Sequence, residues 1–374
     1  MGVDVRPVRG RAGRYRFVDL PFRIFGGDPS WVPPLRMAVH DRLSPKHPAS
    51  EHQEWALWMA YRRGRPVARI GACVDRLFNE FQGLSWVWVG FFESFDDPDA
   101  TTTLFEQAWA WGQARGATVA TGPASFTTND ECGLLVEGFD RLPLILTPQN
   151  PPYYEGLWRH AGWEPAMDLY AWENDLAAVH LSDRQRKGLD RLRQKDDLHV
   201  REMNMADFDA EVGQFFEVYR AAWARNWGFT PMTEAEVRHL AKSLKPLIDP
   251  RLVLFLERPS GEAVGAALAL PDTNEALRGI RSGRLVPLGW ARLLWGIRHA
   301  RHIRVVALGI RPEIRNRALG PVLYQALLER ARSRPHAVKG EASWILASNI
   351  AMNKAAEAMG GHRTKVWRMF QRQL

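Results

Sequence analysis

The sequence predicts an α+β protein made of two copies of one unit, each copy a sheet flanked by helices. Three observations carry that prediction. A charged strand end, a glycine turn and a small-residue return strand occur twice, as RRGRPVARIGA at 62–72 and RPSGEAVGAAL at 258–268. A strand followed by a helix recurs, at 86–92 and 104–115 and again at 303–310 and 322–331. A helical stretch opened by asparagine and closed by glycine recurs at 150–162 and 349–360. Repetition at this scale, in a chain of 374 residues, suits two domains better than one.

In the first half, Phe17, Leu20 and Ile24 set a short helical pattern, after which Gly26-Gly27 and a proline-framed Trp31 read as a loop pinned over a core. Residues 55–61 and 66–74 make a hairpin about Arg62-Arg63-Gly64-Arg65. A third strand at 86–92 runs into the acidic residues Asp96, Asp97 and Asp99. Thr101 to Thr103 cap a helix carrying Leu104, Ala108 and Trp111 on one face, and Gly116 stops it. Strands follow at 117–120 and from 169, the second after the helix at 150–162. The stretch 182–197 is strongly charged, with Leu181, Leu189 and Leu192 as its regular apolar positions, and reads as a solvated helix between lobes. The predicted division is therefore 1–180, a linker at 181–197, and 198–374. The second half repeats the order: strand 198–202, helices 208–223 and 234–244, strand 252–257, turn 259–262, and return strand 263–270. It adds an insertion at 272–302 whose helical stripe Leu288, Leu293, Leu294 and Ile297 suits ordinary packing, a lid, a homodimer face or a cover on a cleft.

Hydrophobic content of 46% and charged content of 25% are those of a soluble globular chain. No apolar run reaches membrane-spanning length and the start lacks an apolar h-region, so neither membrane insertion nor a secretory signal is expected. Two cysteines, Cys73 and Cys132, with no CxxC and no histidine cluster, fit a reduced cytoplasmic compartment and no metal. A net charge of +8 favours anionic ligands. Sixteen tryptophans suit clefts as well as cores.

The stretch 303–332 organises the rest. A β-branched run through Ile303, Val305, Val306, Leu308 and Ile310 gives way to a polar turn, and a helix opens at Gly320-Pro321. Backbone N–H groups at the positive end of a helix dipole, with Arg311, Arg315 and Arg317 around them, make a phosphate site; the alternative is a basic surface turn. Arg315, Asn316, Arg317, Ala318, Leu319 and Gly320 resemble the pyrophosphate loop of the GCN5-related N-acetyltransferase (GNAT) superfamily, with Ala318 in place of its first glycine.

That resemblance covers both halves and implies two GNAT-like lobes, each with a mixed, mostly antiparallel sheet. It implies acetyl-CoA or another acyl-CoA as donor, with pantetheine near Leu308, Gly309, Ile310 and 343–345, and pyrophosphate at Arg311 and Arg315 to Gly320. Asn349 and Asn353 would face the donor or, alternatively, cap their helix, and Asn226, Trp227 and Phe229 would wall the acceptor pocket. The family's thiolate-protonating tyrosine falls at Ala356, and 305–310 holds no glutamate base. The first copy's strand does end in Glu93, yet the acidic loop after it would repel pyrophosphate, which makes that lobe a degenerate one. Asp272, Glu234 and Glu341 are candidates for deprotonating an amine through water, with an exposed carboxylate as the alternative for each. The implied reaction is direct acyl transfer to a small-molecule or peptide amine in a ternary complex. A catalytically impaired acyl-CoA-binding or regulatory protein is the alternative, and a nucleic-acid binder ranks last for want of a recognisable module.

Overall fold

Arg63 and Gly64 take positive φ, 48° and 72°, the conformation of a two-residue hairpin turn. They join Gln53–Arg62 to Arg65–Asp75 with Arg62 opposite Arg65, as the sequence predicts. The structure is a computed structural model that describes residues 2–179, 182–195, 197–317 and 319–374, with all their side chains except those of Arg315, Asn316 and Arg317.

The described chain forms two units, residues 1–169, 274–293 and 365–374 in one and residues 170–273 and 294–364 in the other. In the first unit the strand order is Asp4–Pro7, Gln53–Arg62, Arg65–Asp75, Trp86–Ser94, Val119–Gly122 and then the chain's last strand, His362–Gln373. The pairs are antiparallel apart from Trp86–Ser94 with Val119–Gly122, which run parallel. Helices Gly10–Ile24 and Pro98–Gln113 bury Phe17, Leu20, Leu104 and Phe105 against it. Sequence reading missed the strand Asp4–Pro7 and the short helices Arg36–Arg42 and Arg76–Gln82, none of which is long enough to display a period.

Tryptophans fill the core of this unit more than any cleft. Phe105 lies edge-on to Trp158 at 4.9 Å, and Trp158 lies tilted against Trp163 at 4.5 Å, centroid to centroid, within the spacing that aromatic pairs prefer. Trp88, Trp158 and Trp367 are fully buried. Cys73 is buried as well, and burial pushes its thiol well above the ordinary range, so it is a small hydrophobe and not a nucleophile.

The second unit orders its strands as Glu164–Asp175 (from Tyr170 on), Lys339–Leu346, His302–Ile310, Ala263–Pro271, Val253–Glu257 and His199–Glu202. Strand residues alternate between two cores, as the two-residue period requires. Val253, Phe255 and Ala266 pack with Phe208 and Val218 of helix Phe208–Trp223, while Leu254, Leu256 and Ala267 pack with Leu323 and Leu327 of helix Gly320–Arg332. Helix Glu234–Leu244 begins in a reciprocal cap, Thr233 accepting from the Glu236 N–H and Glu236 accepting from that of Thr233. The charged stretch expected as a solvated helix is helix Asp183–Lys195, with no buried residue and with Leu189 and Leu192 leaning on the second unit's core. Apart from helix Arg76–Gln82 and strand Leu134–Glu137 in the first half and helices Asn274–Leu277 and Gly289–His299 in the second, each half of the chain repeats one order of elements, a small strand, two helices, a hairpin, a strand, a helix, a strand, a helix and a last strand.

Candidate functional site

Strand His302–Ile310 pairs antiparallel with Ala263–Pro271 along its length, from Ile303 opposite Pro271 to Ile310 opposite Gly265. Its other edge behaves differently. The parallel ladder with Lys339–Leu346 runs from His302 opposite Lys339 to Val305 opposite Ala342 and stops there. The register against Ala263–Pro271 shifts at the same level, Leu268 facing Ala307 and Ala269 facing Val305, so Val306 is an extra residue. A bulge of this kind bends the strand and releases its neighbour. Backbone groups of 307–310 and 343–346 consequently border a gap between the two strands.

At the end of that gap the chain turns into a helix. The Arg311 N–H donates to Val264 O at 2.8 Å, extending the strand by one residue, and its guanidinium reaches Glu217 at 3.4 Å. A 3-10 turn follows at Pro312–Arg317, pinned by buried Ile314, and buried Leu319 leads into Gly320–Arg332. Leu319 has no side-chain acceptor to offer the helix, the first turn carries no acidic residue, and Pro321 stands in it. Among the described residues, a side chain at Gly320 would meet only Leu308 Cδ2, at 4.0 Å. The helix end is thus electropositive, with no capping side chain on Leu319. Ala318 and the side chains of Arg315, Asn316 and Arg317, central to the sequence motif, lie outside the described residues.

The first unit has the same parts with the opposite finish. Its parallel ladder runs from Trp86 opposite Val119 to Trp88 opposite Thr121, and Phe91 takes a φ of 47° beyond it. The opening there is filled by the chain itself: the Ala124 N–H donates to Val89 O at 2.9 Å, and a Cβ on Gly90 would stand 1.7 Å from Ala124 O. The helix Pro98–Gln113 is capped by its own carboxylate, Asp97, which accepts from the Ala100 N–H at 3.1 Å. Arg62 clamps Asp97 and Asp99 at 2.7 and 2.9 Å, and its hydrogen bond holds the Asp97 carboxyl below the ordinary range. A protein carboxylate therefore stands where an outside anion would stand in the second unit. Nearby, burial pushes the Glu93 carboxyl up to about 7 although Arg69 and the Tyr154 hydroxyl, 2.8 Å away, pull it down.

The remaining candidates fall in several places. Gly309 is fixed by packing, because a Cβ there would lie 2.1 Å from the Trp223 ring. Asn349 caps helix Ile350–Ala358 by accepting from the Met352 N–H at 3.2 Å. Asn353 donates to Leu346 O and Asn349 O at 3.0 Å and accepts from Trp172 Nε1 at 2.9 Å. Asn349 Oδ1 and Asn353 Nδ2 thus hydrogen-bond the start of the helix, as in the capping alternative. Phe229 is a core residue 5.9 Å from the Tyr219 ring, so of the expected pocket wall only Asn226 and Trp227 keep partial exposure. Glu234 is exposed and pairs with Arg238 at 3.1 Å, while Asp272 and Glu341 are buried, both 2% exposed.

Glu341 belongs to a cluster that sequence reading missed. Ser343 Oγ donates to it at 2.7 Å, and the buried Arg304 donates to Ser343 Oγ at 3.0 Å and to Ser343 O at 2.9 Å. Arg304 stands opposite Glu341 across the ladder, just before the strands part. The available signal was an arginine inside an apolar strand. On the other face of the sheet the Tyr324 hydroxyl accepts from Asn174 Nδ2 at 2.8 Å, and burial raises its pKa.

No protein-family model matches the chain. It is 37% identical to the bacterial ceramide synthase of Caulobacter vibrioides (strain NA1000 / CB15N), over 100% of this chain and 98% of that protein. It is 34% identical to Protein YghO of Escherichia coli (strain K12), over 96% of this chain and 92% of that protein. Among solved structures, a tandem GNAT protein from the clavulanic acid biosynthesis pathway matches with a TM-score of 0.58 and 12% identity, over 100% of this chain and 98% of that one. A GCN5-related N-acetyltransferase from Sphaerobacter thermophilus matches with a TM-score of 0.54 and 14% identity, over 99% and 95%. The fold is that of the tandem GNAT protein, and with relatives this similar over nearly their whole length the chain belongs to the family of the Caulobacter ceramide synthase.

Proposed function

We propose that the protein is an acyl-CoA-dependent N-acyltransferase whose second unit holds the donor and whose acceptor is a long-chain amino alcohol. The observation that carries the donor half is the contrast between the two copies. The same strand gap and helix end are filled by Ala124 and Asp97 in the first unit, whereas in the second the helix has no side-chain cap and no acidic residue in its first turn. A diphosphate would take the helix end before Gly320, assisted by Arg311 and by Arg315 and Arg317 of the motif, and a pantetheine arm would pair with the strand edge at 307–310. The acceptor half is supported by the relative named a ceramide synthase, since a ceramide is the amide of a fatty acid with a long-chain amino diol.

Acyl transfer from a thioester to an amine needs the amine neutral and held about 3 to 3.5 Å from the carbonyl carbon. Asp272 and Glu341 are the buried carboxylates proposed to take its proton, directly or through water. Glu234, paired and solvated, is not among them. Acetyl-CoA is the shortest donor of the series, and a ceramide-like product calls for longer ones.

The test has two stages. Thermal shift with coenzyme A, acetyl-CoA and long-chain acyl-CoAs should raise the unfolding temperature, because a ligand that binds only the folded state stabilises it by mass action. Release of free thiol should then require a long-chain amino alcohol and not short polar amines. Stabilisation without thiol release from any pairing would favour the acyl-CoA-binding, non-catalytic reading, for which Ala356 in the place of the family's tyrosine already speaks.

A further inference from the structure

Ordinary packing, one of the readings of the insertion in the second copy, would turn its whole leucine stripe inward. Only half of it does. In helix Gly289–His299, Gly296 is buried and Leu293 and Ile297 are half-buried. Leu294 is 43% exposed, Trp290 54% and Trp295 63%, and just before the helix Val286 is 80% and Leu288 74% exposed. Trp290, Leu294 and Arg298 stand one turn apart on the outer side, with Trp295 beside them. A surface helix that is already seated and still presents two tryptophans and a leucine outward has an unpartnered apolar face.

The charge around that face identifies the partner. Between Glu275 and Glu313 the sequence holds no acidic residue, while Arg281, Arg284, Arg292, Arg298 and Arg301 are exposed. The guanidinium groups of Arg281 and Arg292 donate to backbone carbonyls, of Asp28 and Trp31 and of Gly279, and neither is paired with a carboxylate among the described residues. Tryptophan rings with an apolar body and one N–H suit the boundary between lipid headgroups and acyl chains, and arginines suit the phosphates just above it. A second copy of this chain fits less well, since a two-fold contact through the same face would set these arginines against each other.

We propose that residues 286–299 form a docking surface for an anionic lipid bilayer, with Val286, Leu288, Trp290, Leu294 and Trp295 entering the headgroup boundary and the arginines contacting lipid phosphate. Nothing in this crosses the bilayer, and no helix among the described residues is long and apolar enough to do so. The surface stands on this segment alone; only its use, bringing the enzyme to a membrane-held long-chain amine, rests on the function proposed above.

The whole protein is sedimented with vesicles of phosphatidylcholine and with vesicles of phosphatidylcholine mixed with phosphatidylglycerol. Binding is expected to the mixed vesicles and to weaken with salt. Combined Trp290→Ser, Leu294→Ser and Trp295→Ser, and separately Arg292→Glu with Arg298→Glu, should each cut it by about tenfold or more. All five residues are exposed, so the unfolding temperature and the thermal shift by acyl-CoA should stay as in the wild type. Equal vesicle binding by the triple serine variant would overturn the proposal. So would a wild type that ignores vesicles but sediments as a dimer that the triple variant loses, which would assign the face to a second copy. Vesicle binding without thiol release would count against the enzymatic reading alone, and thiol release without vesicle binding against the docking surface alone.

Discussion

Glu93 lies between Arg69, 3.9 Å away, and the Tyr154 hydroxyl, yet loss of solvent dominates and lifts its carboxyl from 4.5 to about 7. The folded chain holds that proton more tightly than the unfolded chain does. Its contribution to stability is therefore fully present below about pH 4.5 and is lost as pH rises through about 7. If unfolding is followed from about pH 5 to about pH 8, the stability gap between wild type and Glu93→Gln should move against the wild type by roughly 2 to 3 kcal/mol, whatever its starting sign. A gap that stays constant would mean that the carboxyl titrates normally. The sequence marked Glu93 as a strand-end carboxylate but could not give its environment, because Arg69 and Tyr154 come from another strand and another helix. Arg304, Ser343 and Glu341 were illegible for the same reason: hydrogen bonds between strands join residues that no local spacing connects.

Elements with their own start and stop signals could be read directly. Helices Phe208–Trp223 and Glu234–Leu244 follow a 3.6-residue period and the second carries its cap in Thr233 and Glu236, so their bounds coincide with the expected ones. The asparagines at the start of Ile350–Ala358 have two readings in the sequence, and the hydrogen bonds of the capping one need coordinates to be seen. The contrast between the two helix ends gives a prediction at this scale. Gly320 has room for a side chain and does not take positive φ, and an acidic residue in the first turn suits the helix dipole. Gly320→Asp should therefore leave the unfolding temperature unchanged or slightly higher. It would also set a carboxylate where Asp97 stands in the other copy, and coenzyme A affinity by calorimetry should fall by about tenfold or more, roughly 1.4 kcal/mol. Undiminished affinity would move the donor away from this helix end.

At the scale of the whole chain each unit gathers segments that are distant in sequence. Residues 170–175 of Glu164–Asp175 belong with the second unit, and 365–373 of His362–Gln373 belong with the first. The sequence presented these strands as the ends of contiguous lobes, since a two-residue period says which face of a strand is buried and not which strand lies beside it. The last strand pairs antiparallel with Val119–Gly122 and with Leu134–Glu137, and it buries Val366, Trp367, Met369 and Phe370. Removing those four from water is worth about 1.5 to 3 kcal/mol each, a sum comparable with the whole stability of a domain. Trp367→Ala, at a fully buried position, should cost about 3 to 5 kcal/mol. The site of the damage is the sharper test. In hydrogen exchange the variant should lose amide protection first at 119–122 and 134–137, more than two hundred residues away in sequence, while 253–257 and 302–310 of the second unit keep theirs. If protection is lost first at 302–310 instead, the C-terminal strand would be supporting the unit that precedes it in sequence.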